Sequence, residues 1–302
     1  VTDWVGIENQ AGLARVTCGW KRPELPWETV RRYWRDVHSP SIARRDGIWE
    51  YRHHQFDPVR ADLFGQVAGV ETTCPDDARL MWLSDVRYAD AAALAAFGAS
   101  PSPEVRGCIL GDIDMIVERS TTYLVVGQNA HTFRDLGDGP PQGIPPSPAF
   151  AVFFRQRGAE EPFRAAAREL AERWARTAGV IRVRLNLFEV PDMEAERKAG
   201  YPVKTHPQAQ QYQAWIDLTI ETEAVAAGLF PAGQGHASEI ATVHAYPQLA
   251  IHTFNVAGLP TLAGLRGYPA HEAIQAMGAV HQARPPLLSW MYGAVVREGP
   301  AA

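Results

Sequence analysis

The stretch that most constrains this chain is Pro26 to Phe56, an amphipathic helix followed by a strand, which carries three of the ten histidines. Pro26 suits the first helical position, where its missing N–H is no loss. Trp27, Val30, Trp34, Val37 and Ser41 then recur at three- and four-residue steps and form one stripe of a 3.6-residue helix. Arg31, Arg32, Arg35 and Asp36 point away from it. Pro40 is expected to end or kink the helix, leaving His38 in its last turn one turn beyond Trp34. A cationic imidazole is favoured there by the helix dipole. Gly47 is the expected stop. In the strand that follows, Trp49, Tyr51, His53 and Gln55 share one face, and Ile48, Glu50, Arg52, His54 and Phe56 the other.

Around this unit the chain falls into two similar parts. Leu13–Trp20 reads as a first strand feeding the helix. Residues 131–148 are rich in Gly and Pro, lack periodicity and are expected to be a linker. The pattern then restarts, with Ala149–Arg155 as an apolar strand and Pro162–Thr177 as a helix closed by Gly179. Ile181, Val183, Leu185 and Leu187 alternate with Arg182, Arg184 and Asn186, the pattern of a half-buried strand. The segment from Trp82 through Phe97 aligns without gaps on Trp215 through Phe230, each read as a strand running into a short helix. Fourth strands are expected near Thr121–Val126 and Leu249–Val256, the second made doubtful upstream by Pro247. The domain reading is thus residues 1–130, a linker at 131–148, a degenerate copy at 149–256 and a helical extension at 257–302. That extension is expected to cover one sheet face.

Tyr33-Trp-Arg-Asp-Val-His-Ser-Pro40, followed by Tyr51-Arg-His-His54, resembles the signature of the EthD family. Leu80–Asp85, Ala89–Phe97 and Ile109–Glu118 extend the match over roughly residues 13–128. The resemblance implies an α+β fold: two fused ferredoxin-like β-α-β-β-α-β units forming a dimeric α+β barrel within one chain. It also implies a buried pocket for a small hydrophobic substrate, often aromatic or polyketide-derived, handled by decarboxylation, cyclisation, isomerisation or oxygenation without a metal. Haem-dependent relatives of the barrel supply an alternative, with His252, His244 or a histidine of the C-terminal helix as axial ligand. The absence of CxxCH would make such a haem non-covalent. A non-catalytic small-molecule carrier is a third reading.

Other classes are disfavoured. The 302 residues have a net charge of −5 and no basic stripe for nucleic acid. No apolar run is long enough to span a bilayer, and the N-terminus lacks a signal-peptide pattern, so a cytoplasmic protein is expected. Cys18, Cys74 and Cys108 fit neither a disulfide framework nor a zinc site. There is no GxGxxG, P-loop, GxSxG or HExxH. The working unit is a lone chain or a homodimer.

The candidate catalytic residues are His38 as first choice for proton transfer, because imidazole titrates near neutrality, and then His53 paired with Tyr51. His54 faces the opposite side of the strand, expected to be the more exposed, salt-bridged one, so it and His53 are no chelating pair. Trp34, Trp82 and Trp215 are the expected pocket walls, with Asp217 and His252 as further lining residues. The second half has no histidine matching His38, since Ala171-Glu-Arg-Trp174 stands in its place.

Overall fold

The computed structural model describes residues 3–65, 67–198, 207–230 and 238–293. In the first half the strands are β1 (Leu13–Lys21), β2 (Ile48–Phe56), β3 (Trp82–Tyr88) and β4 (Val117–Val126). Next come β5 (Ala130–Asp135) and the two-residue β6 (Gln142–Gly143). The second half contributes β7 (Ala149–Gln156), β8 (Val180–Leu187), β9 (Ala214–Ile220), β10 (Ile240–Val256) and the short β11 (Leu259–Pro260). All of them belong to one antiparallel sheet in which the order β4-β1-β3-β2 is followed by β10-β7-β9-β8. Each half therefore has the ferredoxin-like order, and the protein is an α+β chain with two such units side by side.

Two seams join the units. The first half of β10 pairs with β7, and its second half pairs with β2 of the other unit. Pro247 does not interrupt this strand, because it sits at the changeover between partners, where register shifts relieve the ladder of a donor. At the second seam β4 runs through a short turn into β5, which pairs with β8. The Glu189 N–H also donates to Leu124 O at 2.9 Å. The ring of strands thus closes through the chain itself, leaving both units without a free edge there. Part of the segment expected to be an aperiodic linker is in fact this closing strand.

Closure buries both faces of the sheet. The face carrying His54, Arg182, Arg184 and Asn186, expected to be solvated, lines the barrel interior, and all four residues are buried. One end of the interior is aromatic, with Phe56, Tyr123, Phe153, Trp215 and Tyr246 in one cluster. The other end is ionic. Helix α1 (Trp4–Glu8) inserts the Glu8 carboxylate there. It accepts from Arg52 at 2.5 Å, from Arg182 at 2.9 and 3.0 Å, and from Thr132 Oγ1 at 2.6 Å. Arg182 also donates to Asp217 at 2.7 Å, and Arg184 to Glu50 at 2.9 Å. Burial works to raise the Glu8 pKa, but Arg182, Arg52 and Arg184 hold it well below the usual carboxylate range.

The helices cover the outer face. In the first unit these are α2 (Trp27–Tyr33), α3 (Ser39–Ala43), α4 (Ala91–Ala99) and α5 (Pro103–Ile116). In the second unit α6 (Glu160–Arg176) lays Phe163, Leu170 and Trp174 against Phe150, Val152 and Phe154. The expected short helix after β9 is only a 3₁₀ turn, Glu223–Gly228. After β8 comes α7 (Met193–Lys198); the C-terminal extension forms α8 (Leu262–Arg266), α9 (Tyr268–Ala276) and α10 (Pro285–Tyr292). Among the described residues no helix is long and apolar enough to cross a membrane.

Glu8→Ala removes the acceptor shared by Arg52 and Arg182 and leaves Arg52 with Glu50, and Arg182 with Asp217 and Asp135, as their remaining carboxylate partners. It is expected to cost about 3–5 kcal/mol of stability, measured by urea unfolding. A loss below about 1 kcal/mol, the range of a surface ion pair, would show that the ionic core does not depend on α1.

Candidate functional site

Helix α2 does not stop before Pro40. It passes through a π-helical turn, Trp34–His38, in which the Ser39 N–H bonds to Trp34 O five residues back, and continues as α3. The wider turn accommodates a proline that has no donor of its own, and it adds a residue to the helical phase. Val37, on the stripe expected for a regular helix, is 49% exposed, and His38 and Ile42 are turned inward instead. Gly47 then reverses the chain at φ +78°, where a Cβ would also lie 2.0 Å from Ala93 O.

The inward residues bound a cavity of about 110 Å³ between the outer face of the first unit's sheet and its helices. Trp34, Ile42, Trp82, Val86, Phe97 and Ile113 form its apolar walls. Thr17, Ser84, Ser120 and Thr122 give it a floor of hydroxyls, with Arg15 and Arg45 also lining it and Met193 of α7 reaching in from the second unit. An apolar cavity of ~150 Å³ holds benzene, so this one is of the scale of a single ring. Gly19 on β1 helps shape it: a Cβ there would fall 2.3 Å from the Trp82 indole. In the second unit the corresponding layer holds a buried apolar cluster around Trp174, whose Nε1 donates to Leu229 O at 2.9 Å.

His38 lines this cavity and is buried. Its Nδ1 lies 3.1 Å from Asp112 Oδ2, and its ring packs 4.2 Å from that of Trp34. Asp112, on α5, also accepts from the Tyr33 hydroxyl at 2.6 Å. These bonds from His38 and Tyr33 outweigh burial and lower the Asp112 carboxyl below its ordinary range. The same bond pushes Tyr33 up to about 12. With Nδ1–H committed to a carboxylate, Nε2 is the basic nitrogen, as in an orienter–base pair. Sequence reasoning missed Asp112 and Tyr33. Their signal was the acidic position in Ile109–Glu118 at helical spacing, but the pairing across 74 residues is tertiary.

The other expected site residues separate. Tyr51 lines the cavity but donates to Ser39 Oγ at 2.8 Å and forms no couple with His53; burial pushes it up to about 12. His53 is on the same sheet face, 6.2 Å from the Trp34 ring and behind the cavity wall. His54 is inside the barrel, with Nδ1 2.5 Å from Gln248 Oε1. Trp215 and Asp217 also face the barrel interior, so neither lines the cavity. The gapless alignment of Trp82 with Trp215 is one residue out of structural register, and a slip of one reverses every face of a strand. By face, Asp217 matches Asp85, and both bond an arginine inside the barrel.

His252 lies on the helix side beneath α9, its ring 4.4 Å from that of Tyr268; burial, with Arg35 nearby, lowers it to about 3. His244 faces the barrel interior, where Tyr212 Oη lies 2.7 Å from Nδ1 and Thr73 O lies 2.9 Å from Nε2. Both nitrogens of His244 are engaged, so it has no free lone pair for a haem iron. His271 is half-buried beside Tyr268, and His281 is exposed.

No family model matches the sequence, and no curated protein matches it. Solved structures do. A protein of Fusobacterium nucleatum, provisionally named a monooxygenase, is 11% identical with a TM-score of 0.45, over 83% of this chain and 97% of its own. An anthrone oxidase-like protein is 10% identical with a TM-score of 0.49, over 82% and 95%. A chlorite dismutase of Candidatus Nitrospira defluvii is 7% identical with a TM-score of 0.35, over 82% and 95%. Likenesses this distant bear on neither substrate nor reaction.

Burial, with Arg155 nearby, lowers the His244 pKa to about 4 and outweighs the bond to Thr73 O, which works to raise it. An unfolded histidine titrates near 6.5, so on acidification the unfolded chain takes up this proton first. The contribution is complete above about pH 6.5 and is lost as pH falls towards 4, by up to about 1.4 kcal/mol per pH unit. Unfolding at pH 7 and pH 5 should therefore show a shallower loss in His244→Gln than in the parent. Equal losses would remove His244 from the acid response.

Proposed function

We propose that this chain is an EthD-like, cofactor-independent enzyme that moves a proton on a small, one-ring aromatic or hydrophobic carbonyl compound. The observation that carries this reading is the His38–Asp112 pair at the wall of an apolar, ring-sized cavity. In the proposed reaction His38 Nε2 removes a proton from the carbon next to the carbonyl. Asp112 fixes the reactive tautomer and stabilises the imidazolium that forms. Hydroxyls of Thr17, Ser84, Ser120 and Thr122 supply donors to the carbonyl oxygen as charge develops on it. Return of the proton to the same or another atom gives exchange or isomerisation, and the imidazolium form of His38 can protonate the carbanion left when a substrate carboxylate departs as CO₂. Trp34 and Trp82 hold the ring. The apolar walls exclude water, which strengthens each of these interactions.

The test is deuterium incorporation from D₂O into an aryl methyl ketone, followed by NMR in the presence of enzyme. Exchange above the buffer rate is expected. It should fall about 10²–10⁴-fold in His38→Gln, the usual contribution of a general base, with a smaller loss in Asp112→Asn. Exchange unchanged in His38→Gln would exclude His38 as the base. Binding of the ketone without exchange would instead support a non-catalytic small-molecule carrier.

A further inference from the structure

Behind the cavity wall lies a second constellation that the reaction above does not use. The register of the sheet places Thr122, Thr17, Ser84, His53 and His252 in one row across β4, β1, β3, β2 and β10, all on the helix side. Within the row two imidazoles stand directly opposite each other on neighbouring antiparallel strands, and on its other side His252 faces Gln142 of β6, whose amide is bonded to the Thr253 backbone. Residues so placed have Cβ atoms about 4.5–5.5 Å apart and side chains pointing the same way.

Both histidines are 1% exposed. His53 Nδ1 and both ring nitrogens of His252 are buried without a hydrogen-bond partner, as is Nδ1 of His271 on α9 above them. This is anomalous, because buried polar groups are almost always paired and an orphaned one costs about 1–3 kcal/mol. The surroundings offer few protein partners. Trp34 flanks His53 and Tyr268 covers His252. Of the nearby guanidinium groups, Arg35 is bonded to Asp36 at 2.6 and 2.7 Å and Arg31 pairs with Glu28 at 2.8 Å, with Arg31 Nε left unpartnered. The unpartnered atoms on these rings are nitrogens alone, with no carboxylate or carbonyl oxygen bonded to them. Unpartnered nitrogens on two neutral imidazoles that face each other across a strand pair are donors of the kind a borderline divalent cation takes.

We propose that His53 and His252 form a two-histidine site for Zn²⁺, Cu²⁺ or Ni²⁺. Among the described residues no three His, Cys, Asp or Glu side chains converge as a complete metal set. The pair therefore supplies two nitrogens, and water or an added ligand fills the rest. Because β2 belongs to the first unit and β10 to the second, the ion clamps the seam between them, and its binding energy adds to the stability of the closed barrel. The site is separate from His38, so it stands or falls independently of the proposed reaction.

The experiment uses the full chain, stripped with EDTA and dialysed. Calorimetric titration with Zn²⁺ is expected to show one site per chain, and saturating Zn²⁺ should raise Tm by several degrees. Both effects should weaken by about tenfold or more in His252→Gln and in His53→Gln. They should persist in His281→Gln, which alters an exposed histidine outside the pair. With one equivalent of Cu²⁺, the parent protein should give an electron paramagnetic resonance spectrum with splitting from two imidazole nitrogens. That spectrum decides the matter without a variant if either substitution prevents folding. No Zn²⁺ binding, binding unchanged in His252→Gln, or a Cu²⁺ spectrum without two imidazole nitrogens would each overturn the site.

Discussion

The structure depends on one strand serving two units. β10 is 17 residues long and is hydrogen-bonded first to its own unit through β7 and then to the other through β2. The continuation of β4 into β5 does the same at the opposite seam. A ferredoxin-like sheet has two edges and one face that its helices do not cover. Sharing long strands satisfies the edges, and closing the ring buries the bare face against its counterpart. Within one chain this arrangement needs no second subunit, and it brings Met193 of the second unit to the cavity of the first.

Closure creates an interior that is ionic at one end. Glu8, Glu50, Asp85 and Asp217 face Arg52, Arg87, Arg182 and Arg184 in buried contacts, of which Arg182–Glu8 and Arg184–Glu50 cross between the units. Such pairs add little net stability compared with an apolar core, but they strongly penalise partners that are missing or misplaced. That penalty favours one register of β2 against β10 and one seating of α1. The cavity lies outside the barrel, under the first unit's helices, and His38 lines it where the second unit has large apolar side chains, Trp174 among them.

Much of this was legible in the sequence. The helix–strand unit, the restart near Ala149, and the candidacy of His38, Trp34 and Trp82 all follow from periodicity, turn chemistry and the motif at Tyr33–Pro40. What failed did so for a local geometric reason in each case. One extra residue in the π turn replaced Val37 by His38 on the inner side. One residue of slip in the repeat sent Trp215 and Asp217 into the barrel while Trp82 stayed in the pocket. The alternation of polar residues in β2 and β8 looked like a solvated face, because charge signals water unless a partner is known, and the partners are more than a hundred residues away.

By itself, then, the sequence determined which segments are helices or strands, that there are two comparable units, and where an unusual histidine stands in an aromatic helix. These are properties of short stretches of chain, set by local propensity and period. The tertiary structure alone decided that His38 meets Asp112, that Tyr51 bonds Ser39 rather than His53, and that His53 faces His252 across a seam. Those pairings depend on strand register and helix phase. A shift of a single residue in either leaves the composition and pattern almost unchanged but carries a side chain to the opposite face.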